Sequence, residues 1–348
     1  MTKASLSKFS YMNEKSVRVT HFHRKPRLGN YSIERLFHDI RSAMPSDIDV
    51  AVQESSFLSR GLWRRLFNIV QAAFRQGELN HVTGDVHFLT YLLKHKRTVL
   101  TIHDCSNFER LHGLKRWFFG LFWYWLPVRC CAAVTVISES AKQKLQSFVS
   151  CDPDKLYVIY DCIPAWFRPV ERQFNSFCPR ILHIGTAWNK NIERIAAALA
   201  GIDCFWVIIG HLSDAQRNVI ESYGIHYENF FGLSDEALLE QYQLADMLVF
   251  ASTYEGFGLP IVEANAVGRP VITSTLYSMP EVAGDAACLV DPYDVASIRA
   301  GILRVIEDTD YRDCLVKAGF DNVERFRPTI IAGQYAQLYR QIYSGQGS

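Results

Sequence analysis

Short apolar, β-rich runs alternate with segments of helical periodicity from one end of the chain to the other, and this alternation constrains the fold more than any other feature. In the first half, 17–22, 49–52, 79–83, 98–103, 133–138 and 155–160 read as strands, with amphipathic segments such as 32–43 and 140–148 between them. In the second half, 180–184, 205–209, 247–251, 270–273 and 287–290 read as strands, and 192–200, 235–244, 260–267 and 295–306 as helices. Strands and helices at this spacing form parallel βαβ units, and two such sets predict an α/β chain with two Rossmann-like, doubly wound sheets. At 348 residues the chain is also longer than one hydrophobic core usually serves. Residues 164–179 hold Pro164, Pro169 and Pro179 with little periodicity, which places a linker there. The expected division is a first domain over 1–166, a second over 167–327, and a last amphipathic helix within 328–348.

Charge separates the halves. Residues 1–168 hold 24 Lys and Arg against 14 Asp and Glu, and residues 169–348 hold 13 against 22, so a net charge of +1 hides a basic and an acidic half. The near-zero total argues against nucleic acid held by bulk charge, and the split predicts different partners for the two domains. Met1–Tyr11 carries two lysines with no apolar run behind it, so no export signal is expected. No stretch reaches the length of a membrane-spanning helix. Nine cysteines without zinc-like pairing read as reduced, mostly buried thiols of a cytosolic protein.

The most informative stretch is 247–273. A buried strand ends near Ala251, and a loop then carries Glu255-Gly256-Phe257-Gly258 into a helix with Pro260 in its first turn. Two glycines at a strand-to-helix turn let backbone approach a ligand, and free amides at a helix start favour an anion such as phosphate. Carboxylates at Glu255 and Glu263 would repel phosphate, so each is expected to bind hydroxyls of a sugar or ribose. A tight turn with a surface glutamate would look similar if Gly-x-Gly stood alone.

The whole segment resembles the E-x7-E signature of retaining glycosyltransferase family 4 (glycosyl transferases group 1), which has the GT-B fold. Here it reads Glu255-Gly-Phe-Gly-Leu-Pro-Ile-Val-Glu263-Ala. The likeness continues through Ser278-Met-Pro-Glu-Val-Ala-Gly-Asp, Phe231-Gly-Leu-Ser-Asp-Glu, and Ile184-Gly185 with Lys190-Asn191. It implies that Glu263 binds the nucleotide ribose, that Glu255 faces the donor sugar, and that Gly256, Phe257, Gly258 and Leu259 meet the diphosphate and sugar. It also implies that Lys190 neutralises the leaving diphosphate, where charge builds as the sugar–phosphate bond breaks. Many relatives place an arginine beside that lysine; Trp188 and Asn189 stand here, so a second cation must come from elsewhere or be absent. Without the resemblance, Lys190 would read as a solvated loop lysine.

In the first half, Thr101-Ile-His103-Asp104 closes an apolar strand at the end where open α/β sheets place ligands. The pair could donate and accept hydrogen bonds or act as a general base, or serve as a capping aspartate beside an incidental histidine. His81-Val-Thr-Gly-Asp85-Val-His87 ends the preceding strand, where similar enzymes carry a histidine-bearing loop facing the donor sugar. Which of Asp85, His87, His103 and Asp104 takes that role stays open, with His103 and Asp104 placed first. Similar enzymes also carry a glycine-bearing loop after the first strand, often a Gly-Gly pair; only Gly29 is present here. Ser138 reads as a helix N-cap at the cleft edge.

The run Lys115-Arg-Trp-Phe-Phe-Gly-Leu-Phe-Trp-Tyr-Trp-Leu126 fits two readings: a core helix, or an aromatic helix lying on an anionic membrane. The resemblance implies donor binding in the second domain, acceptor binding in the first, closure about the linker, and a last helix that crosses back. It further implies retention of configuration with no metal and no cofactor beyond the nucleotide sugar itself. The expected function is transfer of a hexosyl residue from a nucleotide diphosphate sugar to a glycan acceptor, lipid-linked, in bacterial envelope polysaccharide synthesis. The expected place is the cytoplasm, with peripheral contact at the inner face of the membrane. The competing readings are a GT-B-shaped sugar-nucleotide epimerase and an inactive nucleotide-sugar-binding relative. Dinucleotide oxidoreductase chemistry is disfavoured because no Gly-x-Gly-x-x-Gly follows the first strand.

Overall fold

A computed structural model describes residues 16–26, 32–105, 108 and 111–345. Among the described residues, twelve strands form two six-stranded sheets, and every strand pairing is parallel. The first sheet holds β1 (Val17–His23), β2 (Ile48–Glu54), β3 (Leu79–Val82), β4 (Thr98–Ile102), β5 (Ala133–Val136) and β6 (Leu156–Val158), in the order β2-β1-β3-β4-β5-β6. The second holds β7 (Arg180–Ile184), β8 (Phe205–Ile209), β9 (His226–Phe230), β10 (Met247–Phe250), β11 (Val271–Ser274) and β12 (Cys288–Val290), in the order β12-β11-β10-β7-β8-β9. Strands β3, β4, β5, β10 and β11 are buried along their whole length. Helices cover both faces, so β4, β5 and β10 read as continuous apolar or β-branched runs, whereas β3 buries Asn80 and His81 among its apolar residues.

Several elements depart from the sequence reading, among them the Asp214–Ser222 and Thr309–Val323 helices. β9, His-Tyr-Glu-Asn-Phe, is a sixth strand that polarity hid: it is an edge strand paired only with β8, and its residues are exposed or half-buried. Asn229 Nδ2 reaches Ile208 O (3.0 Å) and Gly210 O (2.6 Å), so tertiary bonds override a weak local preference. The Leu62–Phe74 helix was not anticipated either; its apolar side chains Leu62, Trp63, Leu66, Phe67, Val70 and Phe74 face outward. All nine cysteines are free thiols, with Cys178 and Cys314 exposed.

Most of the 164–179 segment is fastened to the second domain. Buried Asp246 accepts hydrogen bonds from Arg172 Nε (2.8 Å), Arg180 N (2.7 Å) and Asn175 N (3.3 Å). Arg269 Nη1 donates to Val170 O at 3.0 Å. The Pro328–Ser344 helix lies against the first sheet, where Ile331, Tyr335, Leu338, Tyr339 and Ile342 join Val17, Val19, Phe37, Leu79 and Val99 in one core. Tyr339 Oη bridges His81 Nδ1 (2.6 Å) and His21 Nε2 (2.9 Å), and His81 Nε2 bonds Thr101 Oγ1 at 2.7 Å.

Burial pushes both of those histidines well below their ordinary range, and it pulls His23, His87 and His183 down to about 4. Between about pH 4 and 6.5 the unfolded chain therefore binds protons at these five positions that the folded chain refuses, so stability rises with pH. Asp161, pushed up to about 6 by burial, and Glu263 and Asp39, also raised by burial, act in the opposite direction. The five histidines outweigh these three carboxyls. The urea midpoint of unfolding is expected to be lower at pH 5 than at pH 7.5; an equal or higher midpoint at pH 5 would contradict the neutral histidine core.

Candidate active site

In each sheet the strand order reverses beside one strand: β1 with β3 in the first, β7 with β10 in the second. Ligands of open α/β sheets bind beyond the carboxyl ends of such strands. That topology explains why Lys190, on the loop leaving β7, meets Glu255, on the loop leaving β10. Lys190 Nζ lies 2.6 Å from Glu255 Oε1, with both side chains largely buried. The ammonium also sits 4.4 Å from the centroid of the Phe250 ring. Asn189 Nδ2 donates to the same carboxylate oxygen at 3.3 Å and to Tyr254 O at 2.7 Å, so Asn189 orients Glu255.

The loop after β10 is held from two sides. Ser278 Oγ lies 3.0 Å from Glu255 O and 2.8 Å from Phe257 O, and its one hydrogen serves both carbonyls in turn. Gly258 has φ +110°, a conformation that side chains rarely adopt, and the Leu259–Ala266 helix starts directly after it. At Gly256 the first domain comes into contact. A Cβ there would lie 2.7 Å from His103 O and 3.3 Å from Asp104 Cβ, so only glycine permits this approach. Ser138 caps the Glu139–Gln146 helix by accepting from Ala141 N (3.0 Å), and its hydroxyl donates to Gly256 O at 2.8 Å. Two further contacts cross between the domains. The Glu281 carboxylate accepts from Glu139 N (2.8 Å) at the start of the same helix, and Arg35 pairs with Asp235.

A cleft of about 530 Å³ lies between the two sets of loops. It brings together Asp85, His87, His103, Asp104, Lys190, Glu255, Gly256, Phe257, Gly258 and Leu259, which the sequence had nominated from both halves. His103 Nε2 donates to Thr83 O at 2.9 Å, and its Nδ1 faces Asp161 Oδ1 at 3.9 Å. His87 is buried and neutral, since burial pulls it to about 4, and its Nδ1 donates to Trp123 O at 2.7 Å. Asp85 is half exposed, 3.4 Å from Arg24 Nη1.

One nominated residue lies apart. Glu263 does not line the cleft: it is buried behind it, accepts a hydrogen bond from Tyr242 Oη at 2.6 Å, and burial raises its carboxyl. Gly29 lies outside the described residues. The structure adds Arg24, Trp123, Tyr124 and Asp161 to the cleft wall. Arg24 is almost fully buried and holds Glu34 through Nε (2.7 Å) and Nη2 (3.3 Å). It follows β1, and Asp161 follows the expected strand 155–160, so the strand-end rule that selected His103 reaches both. A larger cavity, about 730 Å³, runs along the linker from Pro169 to Phe174. Its arginines are engaged structurally, Arg172 with Asp246 and Arg269 and Arg312 with backbone carbonyls, and it lies away from the switch-point loops.

Two domains of this kind, facing across a cleft with a Lys–Glu pair and a glycine loop at the strand ends, define a GT-B glycosyltransferase. The model for glycosyl transferases group 1 matches residues 178–321, and that for glycosyltransferase family 4 matches residues 51–165. The chain belongs to glycosyltransferase family 4. It is 44% identical over 92 residues to an O-antigen chain mannosyltransferase B of Escherichia coli, an alignment covering 26% of this chain and 24% of that protein. It is 26% identical over 243 residues to the O-antigen chain mannosyltransferase RfbU of Salmonella typhimurium, covering 66% of this chain and 68% of that one. Among solved structures, Anabaena HepE in complex with UDP and glucose superposes with a TM-score of 0.74 at 16% identity, covering 93% of this chain and all of that one. At that identity the likeness is one of fold.

The Lys190–Glu255 contact can be checked apart from activity. Lys190→Met and Glu255→Gln each leave one polar partner unmatched in a largely buried setting. A double-mutant cycle on unfolding free energy is expected to show a coupling of about 1–3 kcal/mol. Additive effects would contradict the pair.

Proposed function

We propose that this protein transfers a hexosyl residue, mannosyl by its likeness to the mannosyltransferases, from a nucleoside diphosphate sugar to a hydroxyl of a lipid-linked glycan, with retention of anomeric configuration, in bacterial envelope polysaccharide synthesis. The observation that carries this reading is the Lys190–Glu255 pair beside the Gly256–Gly258 loop at the second domain's switch point. Donor binding exchanges that pair for two complementary contacts: Lys190 on the diphosphate, and Glu255 on sugar hydroxyls. The glycine loop and the amides opening the Leu259–Ala266 helix receive the phosphates. Arg24, across the cleft, supplies the second cation that Asn189 does not. The proposal needs no metal and no further cofactor, because these groups carry the positive charge.

As the bond between C1 and the phosphate oxygen breaks, charge grows on the leaving diphosphate and is stabilised by Lys190 and the loop amides. The acceptor hydroxyl attacks C1 from the same face, and its proton passes to the departing phosphate oxygen, which preserves configuration. His87, His103 and Asp104 bond the donor sugar from the first domain, with Asp85 at the rim. Glu263 binds the ribose hydroxyls when the neighbouring Arg35–Asp235 contact opens. The enzyme works in the cytoplasm and meets its lipid-borne acceptor at the inner membrane face.

Thermal-shift titration with UDP, GDP, ADP and their sugar conjugates identifies the donor. With that donor, Glu255→Ala is expected to abolish transfer while keeping nucleoside diphosphate binding. Lys190→Ala is expected to lose transfer by about 10²-fold or more and to weaken diphosphate binding as well. Unchanged turnover in either variant overturns the assignment.

A further inference from the structure

In the Leu62–Phe74 helix the usual arrangement of a surface helix is inverted. Leu62, Trp63, Leu66, Phe67, Val70 and Phe74 form one stripe by their spacing, and all are exposed, Trp63 at 80% and Phe74 at 87%. The opposite face buries Asn68, Ile69 and Ala72. The 115–126 run behaves alike. Tyr124 is buried and Phe119, Trp123 and Trp125 pack inward, whereas Leu114, Trp117, Phe118 and Phe122 stand in solvent. The run is thus a packed element on one side and an open apolar face on the other.

The two segments adjoin. The Arg65 guanidinium lies 5.2 Å from the Trp123 ring centroid and 5.9 Å from that of Phe88, and Tyr91 donates to Phe122 O. Leu92, between them in sequence, is exposed as well. Folded monomers rarely expose apolar patches beyond a few hundred Å² without a partner.

We propose that these two segments form one platform that lies on an anionic lipid bilayer. Charge selects this occupant. Residues 55–77 and 111–138, which carry both stripes, hold seven Lys and Arg and no Asp or Glu. A second copy of the chain would set those cations against their own kind, whereas anionic headgroups neutralise them while aromatic rings settle at the interface. No described helix is long and apolar enough to cross a membrane, so the platform rests on the surface. Its inner edge is functional ground: Trp123 and Tyr124, beside exposed Phe122, line the cleft. An acceptor anchored in the bilayer therefore arrives at the cleft wall. This placement rests on the transferase reading above for its purpose, and on the exposed stripes for its physics.

Flotation of the full chain with phosphatidylethanolamine–phosphatidylglycerol vesicles, against pure phosphatidylcholine, tests it. Wild type is expected to float with the anionic vesicles at low salt. Trp63→Glu/Phe74→Glu is expected to lose about tenfold or more in partitioning, and Arg60→Glu/Arg64→Glu to lose binding mainly to anionic vesicles. Phe177→Glu, at an exposed position of the second half, should float as wild type does. Absence of wild-type flotation, or flotation of both double variants at the wild-type level, overturns the platform. So does a wild-type dimer that dissociates in Trp63→Glu/Phe74→Glu on size-exclusion chromatography. Nucleoside diphosphate binding is measured separately on wild type: its absence defeats the transferase reading and leaves the flotation result standing.

Discussion

The active cleft depends on how closely the loop after β10 can approach the first domain. With no Cβ at position 256, backbone from 255–257 lies against His103 and Asp104, and the Ser138 hydroxyl reaches the Gly256 carbonyl. Ser278, from the second domain, holds the neighbouring carbonyls of Glu255 and Phe257. Anchored from both sides, Glu255 stands where it meets Lys190 and faces the histidines across the cleft. A single methyl group at 256 would separate the two halves of the site before any reacting group was touched.

The two parallel sheets place their ligand-facing loops at one edge each, and crossing elements turn those edges towards each other. Part of the crossing is polar: Tyr339, from the last helix, bridges two buried histidines of the first sheet. Such a network rewards one seating of the helix, since any other would leave further ring nitrogens unpaired beside the already unpartnered His21 Nδ1. Glu281 and Arg35 add contacts that cross directly between domains. Apolar contact crosses as well: Ile137 and Tyr160 of the first domain pack in one cluster with Phe257 and Phe326.

Much of this was legible in the sequence, for identifiable reasons. The alternation of β-rich and helical segments specified two doubly wound sheets, because buried parallel strands leave unbroken apolar runs. The stretch from Glu255 to Glu263 was legible because glycines and Pro260 punctuate a strand-to-helix turn. Strand ends pointed to His103 and Asp104. What escaped was set by tertiary contact. β9 is polar and becomes a strand through its pairing with β8. Glu263 lies at the right spacing for the shared signature, yet packs against Tyr242 behind the cleft, which no pattern in one dimension shows. In the Leu62–Phe74 helix the apolar stripe has ordinary helical spacing, but its outward orientation runs against the rule by which such stripes are assigned to a core.

The central claim is positional: a nucleoside diphosphate occupies the second domain's switch point, between Lys190 and the loop at 256–258. Diffraction from crystals soaked with the nucleoside diphosphate that most stabilises the protein tests this directly. Phosphate density within hydrogen-bond distance of Lys190 Nζ and the amides near Gly258, with the ribose towards Glu263, is the predicted result. Density in the linker cavity beside Arg172 and Arg269, or at the first domain alone, would contradict it.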